Sequence, residues 1–159
     1  MSYKDLIDAW DHSRKEWQEY RVEASSIFAQ ITRAIRNYFA FPNPESQLKT
    51  IPLSDDKRKE NMMYTIMGAL NFEDDGWTSM GLLIVLEKEN MISPKDAYKL
   101  GVFIKKASDI WLVKCPQDST PIEISATPTE DELVKVAKQI HSILLTTIKD
   151  TLPRWLNQK

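Results

Sequence analysis

Cys115, the histidines His12 and His141, and the acidic run Glu73-Asp74-Asp75 are the side chains here whose types suit catalysis or metal binding. A cysteine nucleophile needs a base within hydrogen-bond reach and a third group to orient that base. His12 and His141 belong to two separate helical patterns, and neither has a supporting motif. A structural histidine in each case and a half-buried, hydrophobic Cys115 are therefore expected. One cysteine cannot form an internal disulfide, and with two histidines it cannot build a zinc cage. The carboxylates of Glu73, Asp74 and Asp75 could attract Mg²⁺ or Ca²⁺, but they lack the alternating ligands and closing glutamate of a calcium loop. They read instead as a soluble acidic turn. Glu87-Lys88-Glu89 fails as a metal-nuclease motif, because adjacent strand residues point to opposite faces. The glycines Gly68, Gly76, Gly81 and Gly101 are dispersed and form no phosphate loop. No catalytic residue, metal or cofactor is expected.

Two binding chemistries have partial support. Arg33, Arg36, Lys57 and Arg58, with Tyr38, Phe39 and Phe41 nearby, make a basic stretch interleaved with aromatics, the pattern that holds single-stranded nucleic acid. Six basic against four acidic residues over 24–60 leave a net +2, and the whole chain carries −2, so nucleic acid is a third-ranked partner. Tyr64, Trp77, Trp111 and Cys115 could line an apolar pocket between sheet and helices. That is the alternative reading: a small-ligand binder or enzyme.

The elements that must position these residues follow from periodicity. Over residues 2–39, Tyr3, Leu6, Trp10, Ser13, Trp17, Tyr20, Ala24, Ile27, Ile31, Ala34 and Tyr38 recur at alternating three- and four-residue steps. This is a heptad-like helical seam, widened by Ile7, Phe28 and Ile35. Ser2 and Asp5 suit a helix cap, and Phe41-Pro42-Asn43-Pro44 ends the pattern. The weak point is Ala24-Ser25-Ser26, where a break would give two ordinary helices. Residues 43–60 read as a polar surface loop. From 62 to 125 the period changes to that of an antiparallel sheet of four or five strands: 62–72, a D-D-G turn, 77–86, a hairpin through 100–115, and 121–125. Leu82-Leu83-Ile84-Val85-Leu86 is apolar on both faces and suits an inner strand. Ser93-Pro94-Lys95-Asp96 reads as one helical turn before strand 100–104, with a helix over 94–107 as the competing reading. Gly68 and Gly81 are placed inside facing strands, where they would thin the sheet beneath a helix. Thr127-Pro128-Thr129-Glu130 opens a C-terminal helix reaching 152, which Pro153 stops, with Trp155-Leu156 as an apolar hook.

The predicted fold is α+β: a long N-terminal helix, an antiparallel meander and a C-terminal helix on the same sheet, in one domain spanning 1–159. The 42% apolar and 28% charged composition supports a folded chain without a membrane span. The opening Met-Ser-Tyr-Lys-Asp-Leu is too charged for a secretory leader, so a cytoplasmic protein is expected.

The first helix then carries the main functional expectation. At 1.5 Å per residue it would run about 55 Å, against about 40 Å for the diameter of a compact domain of this size. Part of its seam must overhang. Leu6, Trp10, Trp17 and Tyr20 are therefore the expected contacts to a protein partner or a second copy, in a non-catalytic binding or assembly module such as an accessory subunit, chaperone or inhibitor.

Overall fold

A computed structural model of the chain describes residues 2–54, 63–87, 96–115 and 120–157. Helix α1 (Tyr3–Phe39) runs for 37 residues without interruption. Ser25 and Ser26 do not break it, because Ala24, Ile27 and Phe28 on either side of them are buried and the helix need only propagate through them. Its end is made without glycine: Ala40 adopts φ 52° and donates its N–H to the Arg36 carbonyl at 3.2 Å.

The expected loop over 43–60 is corrected at its start. Pro44–Gln47 form a helical turn, α2, and Leu48–Ile51 form strand β1. The flanking prolines disguised this strand. Pro52 follows its last residue, a position an edge strand tolerates. The strand expected over 62–72 is mostly replaced. Ile66–Ala69 form a helical turn, α3, and only Asn71–Phe72 extend, as β2. The Thr65 hydroxyl accepts the Gly68 N–H at 3.1 Å, closing the turn locally. β1 occupies the remaining length beside the next strand.

That strand, β3 (Thr78–Leu86), is an inner one, as expected. It pairs antiparallel with β1 and β2 on one side and with β4 (Asp96–Ala107) on the other. β5 (Ile110–Lys114) and β6 (Ile122–Ser125) continue the antiparallel sheet in the order β1-β3-β4-β5-β6. The strand reading of 100–104 holds over the helical one, and the strand starts earlier than expected, at Asp96. β4 enters β5 through a two-residue turn, Ser108-Asp109, with Ser108 at φ 58°. Of the helical turn expected from Ser93-Pro94-Lys95-Asp96, the first three residues lie outside the described ones, and Asp96 is already in β4, paired with Leu86.

Period-two alternation sends Met80, Leu82 and Ile84 of β3, Val102 and Ile104 of β4, Trp111 and Val113 of β5 and Ile124 of β6 to one face. There they pack against Ala24, Ile27, Phe28, Ile31 and Ile35 of α1 and against Val136, Ala137, Ile140 and Leu144 of the C-terminal helix α4 (Glu130–Lys149). On the opposite face the close approach involves Gly81 and Gly101, which sit directly across from one another. Ile51 and Leu53 lie over them. Gly68 takes no part, because it lies in α3.

α4 begins at Thr129, whose hydroxyl accepts the Glu132 N–H at 3.2 Å while Glu132 accepts the Thr129 N–H at 3.0 Å. The helix ends at Asp150, before Pro153 rather than at it. Pro153 instead lies in the first turn of a short α5 (Thr151–Leu156), where its missing N–H costs nothing. Trp155 and Leu156 are exposed rather than hooked into the core. No helix among the described residues is long and apolar enough to cross a membrane.

Candidate protein-binding surface

Burial along α1 divides it in two. From Ala24 onward, one face is in the core. From residue 3 to 19, every side chain except the partly covered Ile7 is exposed. That stretch makes about 25 Å of helix with no buried side chain, and it touches the edge of the sheet through Trp17, which reaches Phe72. Its stability is local. The Ser2 N–H donates to Asp5 Oδ2 at 3.0 Å, His12 pairs with Glu16 one turn on at 3.0 Å, and the Arg14 guanidinium lies 4.8 Å from the Trp10 ring centre. The packed half supplies the nucleus from which these turns extend.

The apolar seam does not stop where the sheet does. Tyr3 is 76% exposed, Leu6 64%, Trp10 54% and Trp17 53%. These are large apolar side chains left in water on the same helical face that is buried further along. Tyr20 stands at the junction, half-buried, with its ring 5.9 Å from Trp111 and 6.1 Å from Phe72. Trp17 meets Phe72 edge-on at 5.9 Å. Beside this cluster, Trp17, Tyr20, Phe72, Glu73, Trp77 and Lys105 line a groove of about 510 Å³. Its far wall is the β2–β3 hairpin, shaped by Gly76 at φ 87° and by the Trp77 N–H donating to Asp75 Oδ1 at 3.1 Å. Lys105 Nζ donates to the Asp75 carbonyl at 3.2 Å, and Lys114 Nζ sits 4.3 Å from the Trp77 ring centre.

The acidic run is used by that hairpin. Glu73 Oε1 accepts from Asn71 Nδ2 at 2.7 Å and from Ser79 Oγ at 3.1 Å. No cluster of three or more His, Cys, Asp or Glu side chains able to hold a metal occurs among the described residues. Cys115 is buried, and desolvation pushes its thiol up to about 12, so the nucleophilic thiolate is suppressed at neutral pH. His141 rests edge-on against Phe39 and Tyr38, at 5.1 and 5.7 Å.

The four residues considered for a pocket are not gathered in this groove. Trp77 lines it, whereas Trp111 and Cys115 belong to the packed core and Tyr64 packs against that core from the side. Arg33 and Arg36 are exposed along the later part of α1; Lys57 and Arg58 lie outside the described residues. Sequence reading missed Phe72 as part of the surface. Its signal was the D-D-G turn, which places Phe72 across from Thr78 and next to Trp77.

No protein family, curated protein or solved structure matches the chain.

Proposed function

We propose that this chain is a non-catalytic, cytoplasmic protein-binding or assembly module, working as an accessory subunit, chaperone or inhibitor. The observation that carries this reading is the exposed seam Tyr3, Leu6, Trp10 and Trp17 on a helix that extends beyond its own sheet. A contiguous apolar surface on a charged helix has a cost in solubility, and contact with another protein removes it. Trp and Tyr are the side chains that most often dominate such contacts. The groove beside Trp17 supplies a second, concave contact at the base of the seam.

The test is affinity capture from the native host with the wild-type chain and with a Trp10→Ala/Trp17→Ala variant of equal helicity. A partner retained by the first and lost by the second is expected. Equal recovery on both would remove the seam from the function.

A further inference from the structure

We propose that the occupant of the seam is a second copy of this chain, docked antiparallel so that Tyr3 of each copy enters the other's groove. This rests on the protein-binding reading above and names its partner.

The register follows from the heptad positions. Residues 3, 10 and 17 occupy one seam position and residues 6, 13 and 20 the other. Two antiparallel helices pack by setting one kind of position against the other. A register covering the whole exposed stretch then opposes Tyr3 to Tyr20, Leu6 to Trp17, and Trp10 to Ser13 of the second copy, each contact occurring twice about a two-fold axis. The largest side chain meets the smallest, which is the complementarity that fills an interface without strain. Tyr3 arrives level with Tyr20, which lines the groove.

Charge does not oppose this arrangement: just beside the seam, the antiparallel register brings Ile7 near Arg14 and Ala9 near Glu16 of the second copy, so no like charges meet. A parallel pair would instead stack Trp10 on Trp10 and leave Ser13 facing Ser13. The area suffices. Covering Tyr3, Leu6, Trp10 and Trp17 in both copies removes on the order of 1,000 Å² from water, the lower bound of a specific interface. The two sheets lie at opposite ends of the paired helices.

Sedimentation velocity from about 1 to 100 μM is the first test, a range in which an interface of this size should associate. A monomer–dimer equilibrium is expected, weakened roughly 100-fold by Trp10→Glu. Because Trp10 is exposed, that variant should fold, and unchanged helicity by circular dichroism checks it. Orientation is read by spin labels at Lys4→Cys or His12→Cys, the buried Cys115 remaining unlabelled. The antiparallel pair places the Lys4→Cys labels about 25 Å apart and the His12→Cys labels within about 15 Å. Short distances at both sites would overturn the register, and so would a dimer indifferent to Trp10→Glu. A chain monomeric at 100 μM overturns the self-pairing. If that monomer still captures another protein through Trp10 and Trp17, the broader binding reading stands while this one fails.

Discussion

The Tyr20 hydroxyl lies 3.3 Å from Thr78 Oγ1, a residue 58 positions further along the chain. This contact joins the half of α1 that packs on the sheet to the half that does not. Thr78 is almost fully buried at the start of β3, and Phe72 across from it contacts both Tyr20 and Trp17. The junction fixes the direction in which the free half of the helix leaves the domain. Tyr20→Phe keeps the ring contacts and loses the hydrogen bond, so a loss of about 1 kcal/mol in urea unfolding is expected. Tyr20→Ala, which also removes the ring, should cost about 3 kcal/mol.

The two halves of α1 should differ sharply in what they contribute to folding. Phe28 is fully buried, and Phe28→Ala should cost about 3–5 kcal/mol. Leu6→Ala and Trp10→Ala, measured at sub-micromolar concentration, should stay within about 0.5 kcal/mol of wild type. Chemical denaturation of the three variants side by side makes the comparison. A large loss at Trp10 would mean that the exposed half is held by its own domain.

Glu132 ties the start of α4 to the end of β6. Besides its bond with Thr129, it accepts the Ser125 N–H and the Ser125 hydroxyl, both at 2.8 Å. These bonds to the charged form, the Thr129 backbone bond first, hold its carboxyl below the usual glutamate value. A folded value lowered in this way stabilises the fold above the ordinary glutamate range. The contribution fades as pH falls through the lowered value. Glu132→Gln should therefore flatten the acid limb of a stability-versus-pH curve. Thr129→Ala should cost about 1 kcal/mol at neutral pH.

Cys115 should resist thiol reagents while the chain is folded and react at once when it is unfolded. Its thiol is raised from 9.0 to about 12 by burial. A raised value means the neutral thiol favours folding. That contribution is complete below pH 9 and lost as pH rises toward 12. Ellman's reagent at pH 8, with and without denaturant, reads the first point; alkaline unfolding of wild type against Cys115→Ala reads the second.

Gly81 is required by close packing rather than by its dihedral angles. A Cβ there would stand 3.0 Å from both Cγ1 and the backbone oxygen of Ile51. The side chain can yield, but the oxygen belongs to the neighbouring strand and cannot yield cheaply. Gly81→Ala should cost about 1–3 kcal/mol and loosen β1, visible as faster amide exchange at Leu48–Ile51.

Local rules carried much of this protein. The 3.6-residue period marked both long helices, Ser2 and Asp5 marked the first cap, and D-D-G marked the β2–β3 turn. The second cap is Thr129 with Glu132, two residues beyond the expected Thr127 and Glu130, because Thr129 is the residue whose hydroxyl accepts a free N–H of the helix's first turn. The strand choice for β4 was also legible, because Leu100-Gly101-Val102-Phe103-Ile104 is β-branched and aromatic rather than helix-forming. The overhang was expected from length, since a 37-residue helix outruns the short strands that the alternating pattern marked.

Competition for the edge of β3 was not legible. Residues 64–72 alternate well enough for a strand, yet Leu48–Ile51 occupies most of that edge while Thr65 closes a helical turn at Gly68. Such a contest depends on pairing energies between segments far apart in sequence, which no local pattern contains. The same reason separates the two readings of the aromatic residues. Trp10 and Trp111 are the same residue type on apolar seams, and sequence gives both the same tendency to be buried. Only the end of the sheet decides that Trp111 is 2% exposed and Trp10 54%, because burial is set by where the chain's other surfaces run out.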